Sequence, residues 1–125
     1  MTATPERRRR QRARRAGSWA ELAAVLLLRL KLYRIVGRNV RTPVGEIDIV
    51  ARRRGIVAIV EVKRRPDTAA GIRAVTTEQQ RRIVRAAEYL SMSGKAGGDV
   101  TGWRFDLVIV RPWRLPQHMT NMWRT

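Results

Sequence analysis

Two apolar runs joined by an arginine-rich turn constrain this chain more than anything else in it. Val44–Ala51 alternates, with Ile47 and Ile49 on one side and Glu46 and Asp48 on the other. Ile56–Lys63 is β-branched and apolar until Glu61. A period of two marks strands, and the Arg52-Arg53-Arg54-Gly55 stretch between them predicts a hairpin. A two-residue turn at Arg53-Arg54 and a four-residue turn at Arg52–Gly55 give the same register. It sets Glu46 opposite Glu61 and Asp48 opposite Ile59. Paired residues share a face, so Glu46, Asp48, Glu61 and Lys63 all project to one side. Three carboxylates and an ammonium are poor packing material. Like charges directly opposite destabilise a sheet, and buried carboxylates without partners are costly. A divalent cation held by Asp48 and Glu61 removes the objection, with Lys63 beside it to steady a water or a phosphate. The competing reading is the wet face of an edge hairpin carrying a Glu–Lys pair.

The flanking sequence supplies helices and further strands. Ser18 caps a helix from about Gly17 to Tyr33, whose apolar stripe is Trp19, Leu22, Ala23, Leu26 and Leu30. Gly37–Pro43 reads as an edge strand or a loop. A loop with Pro66, Asp67 and Gly71 follows the hairpin. Thr76–Met92 is a second helix with Ile83, Val84, Ala87 and Leu90 inward, stopped by Gly94. Trp103–Val110 alternates as a third strand, and a last short strand falls near His118–Trp123. The pattern predicts an α/β fold, a mixed sheet flanked by helices. Residues 1–16 form a basic arm and residues 17–125 a single domain.

Charge narrows the partners. The formal net charge is +17. Seven arginines against one glutamate stand in residues 1–16, and 20 basic against 9 acidic side chains in the rest, so the excess is not confined to the arm. Such a field attracts polyanions, nucleic acid first. There is no cysteine and only one histidine, His118. That excludes thiol chemistry and disulfides, suits a cytoplasmic protein, and leaves carboxylates as metal ligands, which favours magnesium or manganese. The apolar run before Arg29 is far short of the ~20 residues of a membrane span.

At the hairpin the sequence resembles the YraN family. The residues that carry this are Gly45-Glu46-Ile47-Asp48-Ile49-Val50 and Val60-Glu61-Val62-Lys63-Arg64, together with Arg38-Asn39, Ala74-Val75-Thr76, Gln80-Arg81-Arg82 and Arg104-Phe105-Asp106. The resemblance runs from about Gly17 to Trp123. The family is grouped with Holliday-junction-resolvase-like endonucleases of the PD-(D/E)XK superfamily, so the resemblance implies a restriction-endonuclease-like fold. It implies Asp48 as the first metal-binding acid, Glu61 and Lys63 as the E-x-K pair, and hydrolysis of DNA, branched or damaged. Junction resolution would favour a homodimer. Related enzymes often add an acid from the first helix, where Glu21 stands; a carboxylate in a first helical turn also suits the helix dipole. Some place a functional glutamine on the helix after the E-x-K strand. Gln80 stands there, but Thr77-x-x-Gln80 and Thr76-x-x-Gln79 also fit a capping box. Relatives often carry lysine at the position of Gln79. Asp106 is expected to pair with Arg104 or another arginine, Glu46 to support the site from outside, and His118, without a partner cluster, to be structural. The alternative to an enzyme is a basic DNA- or RNA-binding module that keeps the fold without cutting.

Overall fold

The hairpin forms, two residues out of the expected register. In the computed structural model, which describes residues 19–124, the strands are β1 (Arg34–Thr42), β2 (Gly45–Arg53), β3 (Ile56–Arg64), β4 (Gly102–Val110) and β5 (Gln117–Trp123). The helices are α1 over residues 19–30, α2 (Thr68–Ala74) and α3 (Thr77–Ser93). Strand order in the sheet follows chain order. All neighbours are antiparallel except β3 and β4, which α2 and α3 connect in parallel. The fold is the expected mixed α/β sheet flanked by helices. The arm at residues 1–16 and the Ser18 cap lie outside the described residues.

The β2–β3 turn is Arg54-Gly55, with Arg53 paired to Ile56 and Ile49 to Val60. Arg54 adopts a left-handed φ of 57°. Gly55 is required by a close approach, since a Cβ there would lie 2.4 Å from Thr101 Oγ1. Thr101 N–H in turn donates to Gly55 O at 2.8 Å. Shifting the turn by one position moves every pair by two, so the faces are kept and the partners change. Asp48, not Glu46, is the residue that comes to Glu61.

Helices cover both faces. α3 buries Ile83, Ala86, Ala87 and Leu90 over Ile47, Val57, Ile59, Leu107 and Ile109. α1 buries Ala24, Val25 and Leu28 over Ile49, Ala51, Ala58, Val60 and Val108. The expected stripe of α1 is therefore wrong: Trp19, Leu26 and Leu30 are 73%, 53% and 81% exposed. Positions 20, 24 and 28 are two residues from 22, 26 and 30, roughly 200° round the helix. Small residues win the inner face because alanines on helix and sheet allow close approach. α1 also stops short of Tyr33. Leu32 turns left-handed at φ 69°, and Tyr33 N–H reaches back to Leu28 O at 2.9 Å, a Schellman closure without glycine. The edge-strand alternative for Gly37–Pro43 is the one that forms, as β1, which begins earlier at Arg34 and ends at Thr42. One element was not expected as such: the loop after β3 contains α2, capped by Asp67 Oδ1 on Ala70 N at 2.8 Å. No described helix is long and apolar enough to cross a membrane.

Candidate active site

The sheet is irregular at Asp48. Ile47 and Val50 pack under α3, whereas Ile49 and Ala51 pack under α1. A regular strand would keep Ile47 and Ile49 together, as the sequence pattern suggested. On the adjacent strand Asn39 is left-handed at φ 49°, a conformation asparagine tolerates. The β2–β3 pairing ends at Ile49 and Val60. Beyond it the Val62 N–H, which a continued ladder would give to a backbone carbonyl, donates to Asp48 Oδ2 at 2.9 Å. The strands splay and a carboxylate fills the gap.

Glu61 lies beside it on the α3 face, 6% exposed. Its Oε1 is 3.3 Å from Lys63 Nζ and accepts from Gln79 Nε2 at 2.8 Å. The Asp48 and Glu61 carboxyl groups lie close enough for each to act on the other's ionisation. Burial, then the charge of Asp48, pushes Glu61 up to about 8, against the pull of Lys63. Burial also raises Asp48, opposed by the Val62 N–H and Lys63. A buried acid beside a half-buried one cannot ionise together with it cheaply, so the pair holds a proton that a cation could replace.

Gln79 is the residue that sequence reasoning passed over. It lies in the first turn of α3, where Thr76 Oγ1 caps its backbone N–H at 3.1 Å. The capping box is thus half used: the glutamine side chain leaves the cap and goes to Glu61. Gln80 does not join it. Its amide donates to Val75 O at 3.2 Å. A helix of 100° per residue turns adjacent side chains apart, so only one of the two glutamines can face β3.

Glu21 approaches from α1 without closing the group. Its Oε2 accepts from Asn39 Nδ2 at 3.0 Å and lies 3.9 Å from Arg38 Nη2. Burial raises its pKa, and the charges of Asp48 and Glu46 add to the rise. Glu46 is exposed at the rim. Among the described residues no three acidic or histidine side chains gather closely enough to cage an ion. The donors at the centre are two carboxylates. That set suits a hard ion such as magnesium, which takes one or two protein carboxylates and completes its shell with water and substrate phosphate.

Residues 20–110 match the model of the family described as "Uncharacterised protein family UPF0102". The chain belongs to this family. A UPF0102 protein of Parvibaculum lavamentivorans is 47% identical over 90% of this chain and 84% of its own length. One from Caulobacter sp. strain K31 is 43% identical over 95% and 88%, and one from Paramagnetospirillum magneticum 42% over 99% and 98%. The YraN resemblance read from the hairpin holds. The family match spans Glu21, Asp48, Glu61, Lys63 and Gln79 and stops at the end of β4, before β5.

β5 completes a different acid site. Asp106 is fully buried and accepts from Arg104 Nε at 2.8 Å, Arg104 Nη2 at 2.7 Å and the Asn121 N–H at 3.0 Å. The pairing with Arg104 is as expected. His118 is not partnerless: its Nε2 is 2.8 Å from Asp106 Oδ2 and its Nδ1 2.8 Å from Lys31 Nζ. An ammonium can only donate, so Nδ1 accepts and Nε2 carries the hydrogen given to Asp106. Burial opposes ionisation of Asp106, but His118, Arg104 and the Asn121 N–H outweigh it and hold its pKa below the ordinary value.

Proposed function

We propose that this protein is a metal-dependent endonuclease that hydrolyses DNA phosphodiester bonds. The observation that carries the reading is the gathering of two carboxyl groups and an ammonium where β2 and β3 splay: Asp48 Oδ2 on the Val62 N–H at 2.9 Å, and Glu61 next to it with Lys63 Nζ at 3.3 Å. Structural ion pairs do not need two acids against each other. A binding site for a divalent ion does. Asp48 and Glu61 would hold magnesium or manganese, and such an ion would supply Lewis acidity toward a phosphoryl oxygen and an attacking water. Lys63 stabilises charge on the phosphoryl group. Gln79 holds Oε1 of Glu61, which would leave Oε2 to the ion. Glu21 tunes the site through its charge. The net charge of +17 draws the polyanion to it.

The test uses linear, flapped and four-way DNA with magnesium or manganese. Asp48→Ala and Lys63→Ala should abolish cleavage and leave DNA binding in EDTA within about two-fold of the parent, because phosphate contacts elsewhere dominate affinity. Equal cutting by both variants and the parent would overturn the assignment. Absence of cleavage of any substrate by the parent would leave a non-cutting DNA-binding protein.

A further inference from the structure

Two hollows adjoin along the outer side of α3. One, of about 330 Å³, starts at Thr77 and Gln80 and runs past Arg81, Arg85 and Arg124. The other, of about 470 Å³, is walled by Trp103, Phe105 and Trp123, with Glu88, Ser91 and Asn121 in its lining. Val84 and Arg124 line both, so they form one groove between α3 and the β4–β5 edge. Its near end lies on the first turn of α3, the turn that also carries Gln79, whose side chain projects about 100° round the helix to Glu61.

The chemistry changes along the groove. The near part offers three guanidinium groups and no acid. The far part is aromatic. Phe105 and Trp123 stack there with centroids 5.8 Å apart, and Trp103 is half-buried beside them. The Trp123 Nε1–H is buried and has no hydrogen-bond partner among the described residues. A buried donor without an acceptor is costly; Trp123 also packs in the core beneath α3 and lines the hollow, so an acceptor seated deep there would meet it. Guanidinium groups followed by an aromatic hollow with an unmet donor match a nucleotide. Every base has a π-face to stack and a carbonyl or ring nitrogen to accept. A base inside a duplex cannot enter, because it is already stacked and paired.

The geometry points to a binding site for an unpaired nucleotide, with its base in the Trp103–Trp123 hollow and the adjoining phosphates on Arg81, Arg85 and Arg124. From Gln79 to Glu88 the helix rises roughly 13 Å, the length of about four stacked nucleotides. This rests on the endonuclease reading for its meaning: the substrate is DNA with an unpaired or splayed segment a few nucleotides from the bond cut. The recognition tolerates any sequence, since the wall offers stacking and one donor and no complete base-edge pattern.

The experiment is equilibrium binding of the full chain in EDTA, where no cleavage occurs. The probes are a fluorescent 30-base-pair duplex and the same duplex with a flap bearing 2-aminopurine. The parent should prefer the flapped probe and change its 2-aminopurine emission. Trp103→Ala should remove roughly ten-fold of affinity for that probe alone. Trp123→Phe keeps the ring volume and loses the N–H, so it tests the donor in a protein that folds, and it should weaken the same probe and spare the duplex. Equal affinity of the parent for both probes overturns the inference. So does parental binding by both folded variants. Cleavage with magnesium is scored separately. Flap preference without cutting overturns the endonuclease reading and keeps the groove. Cutting without flap preference does the reverse.

Discussion

Two buried acids on one sheet, Asp106 and Glu61, are treated in opposite ways. Asp106 has two hydrogen bonds from Arg104, one from His118 and one from a backbone amide, and its pKa falls. Glu61 has Lys63 and Gln79 on a single oxygen and a second carboxyl group against it, and its pKa rises. The first arrangement is that of a structural ion pair. The second leaves acids crowded together without enough donors, and the proposed cation site is read from that arrangement. Asp106→Ala should therefore cost stability: it removes the acceptor shared by Arg104 and the His118 Nε2–H, at about 3 kcal/mol by the usual price of breaking a buried pair. Urea unfolding at neutral pH reads it. The stabilisation should also fade on acidification, because an acid with a depressed pKa contributes above its unfolded value and loses the contribution as pH falls through the folded one. A loss under 1 kcal/mol would mean that the cluster is not what anchors β5.

At the level of elements, α1 shows where sequence reasoning fails and why. Hydrophobic periodicity at three- and four-residue steps exists on two faces of this helix, and the larger side chains suggested the wrong one. The alanines were decisive because depth of approach, not size of side chain, selects the inner face. Leu28→Ala, at a fully buried position, should cost about 2–5 kcal/mol, whereas Leu26→Gln or Leu30→Gln should change stability by about 0.5 kcal/mol or less. Thermal or urea unfolding of the three variants decides between the faces, and a large loss for Leu30→Gln would reverse the assignment. The hairpin was more legible. Alternation holds along β3 and survives any shift of register by two, but on β2 it breaks at Asp48, where Ile47 and Ile49 part to opposite faces. The partner itself depended on the turn, and the signal was present in Arg54-Gly55: glycine belongs inside a tight turn, not after it. Gln79 was not legible, because a glutamine three residues after a capping threonine looks the same whether its amide returns to the cap or crosses to another strand. Nor was the kink at Asp48, which depends on a left-handed asparagine in the neighbouring strand.

For the whole molecule, the raised acid pair links folding to protons and, on the proposed reading, to divalent ions. Glu61 titrates at about 8 when folded and near its ordinary value of 4.5 when unfolded. Below 4.5 both states hold the proton and pH has no effect through this group. Between 4.5 and 8 the folded state keeps a proton that the unfolded chain has released, so stability falls as pH rises, and above 8 the loss is complete. The melting temperature in EDTA should thus decline from pH 5 to pH 8 more steeply for the parent than for Glu61→Gln, which has no proton to lose there. The variant should be the more stable of the two at pH 8, the usual relation when a functional group is strained by its neighbours. A cation that binds the ionised pair of the folded state alone reverses the decline by mass action. Magnesium or manganese should raise the parent's melting temperature more at pH 8 than at pH 6, and leave Glu61→Gln much less affected. Parallel pH profiles for the two proteins, with equal metal response at both pH values, would show that the acid pair is neither the source of the strain nor the seat of the ion.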